Sequence, residues 1–355
     1  MLYITLFLFL TTGSLVCRGF LGHTTAAVPP SGGFQYKEKT MAKYRKNLPQ
    51  LGNRIFLSDG GLETTMIFRE GLELPYFASF RLLDTETGRA ALRRYFDRFI
   101  QIARHERLGF ILDTPTWRSS ADWGRKMGLS DNDIDHVNRQ SVEFVKSIRD
   151  ANETETTPIV INGVLGPRGD GYNPSAIMTV AEAHDYHRAQ TRSFAESPVD
   201  MISAITMTNV NEAIGISRAA AQAGLPVAVS FTVETNGELP TGQSLSDAIQ
   251  ETDASTSINP IYYMVNCAHP THFKDKLAAG SDWMRRVRGI RANASKLSHA
   301  ELDEATELDA GSAAELGLDY AAILRQHPHI TVVGGCCGTD HRHLEQITFA
   351  LKYAA

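Results

Sequence analysis

A single-domain (β/α)8 TIM-type barrel is the fold class that this 355-residue sequence predicts. Three observations predict it. Eight short apolar segments recur after residue 41, alternating with helix-like stretches. Each stops near glycine, proline or a small polar residue, as strands do at turns. The first is not followed by Gly-x-Gly-x-x-Gly, which counts against a doubly wound open sheet. Parallel strands joined by right-handed crossovers need this alternation, and eight units over about 310 residues suit a closed barrel. No short-period repeat and no linker divides the chain after residue 41.

The first strand is read at residues 55–58 and ends in Asp59-Gly60-Gly61. Residues 88–109 follow as an amphipathic helix, with Leu92, Tyr95, Phe96, Phe99, Ile102 and Ala103 on one face. The second strand, 110–112, stops at Asp113-Thr114-Pro115. A helix over 134–148 puts Val137, Val142, Val145 and Ile148 toward the core. The third strand, 158–165, breaks at Gly166-Pro167. The fourth, 201–205, leads to a helix at 211–223. The fifth is 227–233, and the sixth, 261–265, ends at Asn266-Cys267. The seventh is 287–292. The eighth, 330–333, ends at Gly334-Gly335-Cys336-Cys337, before a last helix at 341–353.

Composition narrows the function classes. With 43% hydrophobic and 21% charged residues the chain is globular rather than disordered. A net charge of -5 without a basic run gives nucleic acid no footprint. The barrel offers no membrane segment; small molecules are the expected partners, and a homo-oligomer is compatible with everything above. Four cysteines do not make a disulfide scaffold, so metal or redox chemistry is the better reading.

Residues 1–40 read as a non-core extension, and residues 41–355 as the barrel. The apolar run 4–16 resembles the core of a secretory or organellar signal, although no Lys or Arg precedes it. Alternatively, translation begins at Met41, before the polar stretch 42–46, and the protein is cytoplasmic.

In a barrel the carboxyl ends of the strands form the active rim. Asp59, Asp113, Cys267, Cys336 and Cys337 all fall there. Three thiolates at strand ends make a zinc site: zinc prefers tetrahedral sulfur coordination at about 2.3 Å, and three protein ligands leave a fourth position open. Consecutive residues of a strand point apart, so Cys336 and Cys337 share a metal only if the backbone turns, for which Gly334, Gly335 and Gly338 give freedom. Cys267 alone would pass for a small buried hydrophobe. His269, His341 and His343 compete as ligands but lie beyond the strand ends. A Cys336–Cys337 redox pair is a further alternative.

The run 334–339, Asn266-Cys267 and Asp59-Gly60-Gly61 resemble the homocysteine S-methyltransferase family, of the betaine–homocysteine and S-methylmethionine–homocysteine type. Gly163-Val164-Leu165-Gly166-Pro167, Ser230-Phe231-Thr232 and Asn293-Ala294-Ser295 extend the resemblance over residues 50–353. It implies a zinc-bearing barrel that moves a methyl group from a sulfonium or ammonium donor to the thiol of homocysteine, giving methionine. One departure matters. The family carries a Glu-Thr pair after strand four, whose glutamate holds the amino group of homocysteine. Here Ile205 stands in its place. Glu234 is the expected substitute, with Glu63 a second candidate. Asp59, Gly60 and Gly61 are expected to hold the polar end of the acceptor.

A free thiol has a pKa near about 8.5, whereas a zinc-bound thiol is deprotonated outright. A cationic donor becomes neutral on transfer, so positioning and metal activation suffice and no general acid is needed. Tyr76, Phe77, Phe80 and Trp117 are candidates to face such a cation. Three rivals stand beside this reading: a non-catalytic zinc- or thiol-binding barrel, a methyltransferase acting on a different thiol, and zinc hydrolysis. The all-cysteine set disfavours the last, because hydrolytic zinc usually has His or carboxylate ligands.

Overall fold

Eight parallel strands close on themselves in chain order in the protein's structure, a computed structural model that describes residues 41–174, 176–277 and 281–352. They are β1 (Phe56–Leu57), β2 (Gly109–Asp113), β3 (Ile159–Leu165), β4 (Met201–Met207), β5 (Val227–Phe231), β6 (Tyr262–Asn266), β7 (Val287–Ala292) and β8 (Val332–Gly335). β1 pairs with β8 as well as with β2, which shuts the barrel. The sequence-predicted extension 1–40, with Cys17, and Tyr353 at the end of the last predicted helix lie outside the described residues.

The period-2 alternation of side chains sorts each strand into two cores. Phe56, Ile111, Val160, Met201, Ala228, Tyr262, Met264 and Val332 fill the barrel interior. Leu57, Phe110, Leu112, Ile159, Ile161, Val229, Val265 and Val333 face outward onto the helices. Leu48, the residue that precedes a short 3-10 turn at Pro49–Leu51, joins the interior set.

The helix predicted at 88–109 spans Glu86–His105. It starts earlier because the Thr85 hydroxyl accepts from the Gly88 amide at 3.0 Å. It stops earlier because Arg107 takes φ 57° and Gly109 already belongs to β2. The helix expected at 134–148 is longer, Asp131–Asn152, because Ser130 and Asp133 form a capping box. β4 runs two residues past its predicted end, through an irregularity at which Thr206 has φ 65°.

Three further helices lie where the sequence reading placed none: Val180–Ala195, Leu245–Ala254 and Ala313–Gln326. The first buries His187, Gln190, Thr191 and Ser193, so its inner face looks polar in the sequence. Among the described residues no helix is long and apolar enough to cross a membrane.

Candidate metal centre

The upper interior of the barrel is polar. Arg291 on β7 is buried and forms ion pairs with both Asp59, after β1, and Asp113 of β2. Asn162 on β3 donates to Asp113 at 2.7 Å, and Ser203 on β4 donates to Asn162 at 3.0 Å. The chain of bonds thus crosses five strands. Burial alone would lower the Arg291 pKa, but the two carboxylates more than reverse this and keep the guanidinium charged. Burial pushes the Asp59 carboxyl upward against the pull of Arg291, and the Asp113 and Glu63 charges add to the push.

Above this layer the three sulfurs meet. Cys336 Sγ lies 3.3 Å from Cys267 Sγ, and Cys337 Sγ lies 3.6 Å from it. All three fall within 4.8 Å of one another. β8 ends at Gly335, so Cys336 and Cys337 belong to a turn, as the glycines predicted. That turn is pinned to β7: Cys336 N donates to Ala292 O at 2.8 Å, and Ala294 N donates to Cys337 O at 3.0 Å. Gly338 completes it with φ 79°. Cys267 itself has φ 58°, a strained conformation for a residue with a Cβ. Asn266 braces it, accepting from Thr206 N and Ser230 Oγ and donating to Thr206 Oγ1 at 2.8 Å.

The donor set fits zinc. Tetrahedral bonds of about 2.3 Å separate the sulfurs by about 3.8 Å, close to the spacings here. Hydrogen bonds with the other two push the Cys336 thiol down, while Cys267 and Cys337 are pushed up. His269, His341 and His343 stay outside the cluster. His269 is buried with its Nδ1 on Thr271, and burial lowers its pKa to about 4. His343 caps the last helix, His341–Leu351, through Asp340.

The sulfurs open onto a cavity of about 340 Å³ lined in part by Glu63, Trp117, Arg118, Tyr172, Ile205 and Leu302. Tyr172 was missed by sequence reasoning. Its hydroxyl lies 3.5 Å from both Cys267 Sγ and Cys337 Sγ, and its ring stacks on His299 with centroids 4.2 Å apart. It sits in an irregular loop after β3, where no periodicity marks it. Arg291 was missed too, although a charge inside a buried parallel strand is the available signal.

Glu234 does not line the cavity. It is turned to His299 Nδ1 at 3.0 Å, and His299 Nε2 meets Cys267 O at 2.7 Å. Asp59 lines the floor but is committed to Arg291, and Tyr95 donates to it at 3.2 Å. Gly60 and Gly61 line the cavity as well, yet the close approach that requires glycine is to the cysteine turn. A Cβ on Gly61 would stand 2.7 Å from Cys336 O, and one on Gly60 2.8 Å from Thr339 O. The Gly61 amide is spent on Thr339 O at 3.0 Å. Of the aromatic candidates, Phe77 and Trp117 reach the cavity. Phe80 is in the core, and Tyr76 is exposed beside Trp123. Glu63, the second candidate, does line the cavity, with Ser79 Oγ donating to it at 2.8 Å. Ile205 lines it too, so the apolar substitution falls inside the site.

A closed (β/α)8 barrel whose carboxyl-terminal rim gathers three cysteine sulfurs at the base of a cavity is the frame of a barrel enzyme centred on sulfur. The homocysteine S-methyltransferase family model matches residues 56–351, and the chain belongs to that family of methyltransferases. It is similar to the homocysteine methyltransferase MmuM from Escherichia coli. With the oxidised form it shares 17% identity over 87% of this chain and 98% of that one, at a TM-score of 0.67. With the metallated form the values are 15%, 84%, 96% and 0.63. At these identities the likeness shows the fold. A methionine synthase of Mycobacterium leprae is 28% identical over 221 residues, covering 55% of this chain; only 16% of that relative's length is matched.

Proposed function

We propose that this chain transfers a methyl group from a sulfonium or ammonium donor to the thiol of homocysteine, giving methionine, with zinc held by Cys267, Cys336 and Cys337. The observation that carries the reading is the convergence of the three sulfurs at the base of a cavity. Cys267, Cys336 and Cys337 would hold the zinc, which would supply the Lewis acidity that favours a deprotonated acceptor thiol. The methyl carbon exchanges its bond to the donor heteroatom for one to the acceptor sulfur. The donor heteroatom keeps the electron pair and becomes neutral, and the thiol proton is released.

The chain's own groups position and exclude water. The Ala292, Arg291 and Ala294 backbone bonds hold the cysteine turns in register with β7. Tyr172, whose hydroxyl is kept neutral by burial and by the neighbouring sulfurs, covers two of the sulfurs. Glu63 takes over the role of the missing family glutamate and receives the acceptor's ammonium. Burial pushes its carboxyl up, with the Ser79 hydroxyl pulling it back, and it feels the charges of both Cys336 and Arg118. The test is to purify the protein under reducing conditions, measure its zinc, and assay homocysteine methylation with a sulfonium and an ammonium donor. Stoichiometric zinc and turnover with one donor are expected; metal-free turnover at full rate would refute the centre.

A further inference from the structure

Arg118 is a buried charge with a donor left unsatisfied. It follows Trp117 in the loop after β2 and is only 4% exposed. Its guanidinium carbon lies 3.9 Å from the ring centroid of Trp117 and 4.0 Å from that of Trp123, so an indole stands close on either hand. Nη1 donates to Gly169 O at 2.9 Å. Nε is buried with no hydrogen-bond partner. The nearest carboxylate, on half-exposed Asp170, is 3.9 Å from Nη2 and already accepts the Tyr172 and Asn173 amides.

A buried donor without an acceptor costs free energy that folding does not return. A guanidinium fixed by two indoles is pre-organised, since its planar fork is held before any ligand arrives. Arg118 also lines the same cavity as the sulfurs and Glu63. A group in this state is built for an anion that enters from the cavity, and the fork matches a carboxylate.

The position relative to the centre selects which carboxylate. Glu63 feels the charges of both Cys336 and Arg118, and all three line the same cavity. An amino acid carrying a thiol on its side chain presents sulfur, ammonium and carboxylate to match.

We propose that Arg118 binds the α-carboxylate of the thiol acceptor and restricts the enzyme to amino-acid thiols. This rests on the reading of the cavity as the acceptor site. Trp117 and Trp123 act as positioning residues that hold the fork. Ile205 then gives the acceptor's carbon chain an apolar wall between the two charged ends.

The test is calorimetric binding to the zinc-loaded full-length protein of two thiols, homocysteine and 3-aminopropane-1-thiol, which lacks only the carboxylate. In the wild type, homocysteine should bind about ten- to a hundredfold more tightly, the range for a charge-assisted hydrogen bond. In Arg118→Gln this ratio should fall close to one while the aminothiol's affinity holds. Arg118→Lys, which keeps the charge but not the fork, should give an intermediate ratio. A wild-type ratio near one overturns the proposal whether or not the variants fold. So does an unchanged ratio in Arg118→Gln with both thiols still bound, which would leave the zinc-thiolate reading standing. If neither thiol binds the wild type, both fall together.

Discussion

Asp59 and Arg291 are joined in an ion pair beneath the sulfurs, and Asp113 holds the other side of the same guanidinium. The Asp-Gly-Gly turn is therefore anchored to β7, the strand that also pins the cysteine turn. The acid at this turn serves the barrel first. Arg291→Leu would leave two buried carboxylates without their cation, a loss of about 3–5 kcal/mol for a broken buried pair. Urea denaturation should show that drop as a lowered midpoint. A variant as stable as the parent would mean that water or a proton replaces the guanidinium without cost.

The metal centre gives the second prediction. Cys336→Ala leaves two of the three clustered sulfurs. Zinc per chain, measured after dialysis by atomic emission, should fall from close to one to a small fraction. Full retention would show that the metal sits elsewhere.

Much of this was legible in the sequence. The eight strands follow from apolar runs and turns because buried parallel strands need both. The cysteine centre follows from the glycines, which only a turning backbone uses. What could not be read was direction. Glu234 and Glu63 are both acids just past a strand end, but the loop after β5 turns Glu234 onto His299, while the helix Leu62–Phe68 turns Glu63 onto the cavity. Tyr172 and Arg118 were invisible for a related reason: irregular loops bring them in, and no periodicity records where a loop points. The helix Val180–Ala195 was hidden by its own polar contacts, His187 to Glu212 at 2.8 Å among them.

The third prediction is a pH effect at Asp340. Its side chain caps the helix His341–Leu351, accepting from Arg342 N at 3.0 Å, and pairs with Arg69 at 3.1 Å and Arg342 at 2.7 Å. Burial works to raise its pKa, but His343 and the two arginines outweigh it and hold the carboxyl well below its ordinary 3.8. A depressed acid stabilises the fold fully above its unfolded pKa and loses that contribution as pH falls further. Asp340→Asn keeps a capping oxygen and removes the charge, so it should cost about 1–2 kcal/mol at pH 7. The difference from the parent should shrink below pH about 4, toward zero as both become neutral. Paired melts at pH 7 and pH 3 measure it.

The fourth concerns residues 1–40. Among the described residues, those lining the cavity lie between Asp59 and Gly338. A chain begun at Met41 should keep its zinc and its melting temperature. A fall of more than about 4 °C, equivalent to roughly 1 kcal/mol or more, would show that the extension contributes to the stability of the barrel.

The last prediction separates Glu63 from Glu234 as the partner of the acceptor's ammonium. Glu63 follows β1 and Glu234 follows β5, on opposite sides of the eight-stranded barrel, and the position on β4 that the resemblance would give an acid is the apolar Ile205. Glu63 faces the cavity and is held by a neutral hydroxyl, Ser79, which leaves its charge available. Glu234 is committed to His299, whose other nitrogen meets the Cys267 carbonyl. Glu63→Gln should raise the KM for homocysteine about ten- to a hundredfold, the worth of a charge-assisted hydrogen bond. It should leave 4-mercaptobutyrate, which has no amino group, unchanged. Glu234→Gln should move neither by more than about twofold, a few tenths of a kcal/mol. The pH dependence has a definite sign. Burial raises the Glu63 pKa above 4.5, and only the carboxylate binds an ammonium, so KM should climb as pH falls through that raised value and stay flat in Glu63→Gln. If Glu234→Gln instead carries the KM increase, the loop after β5 must turn over when the acceptor binds, and the assignment of Glu63 is wrong.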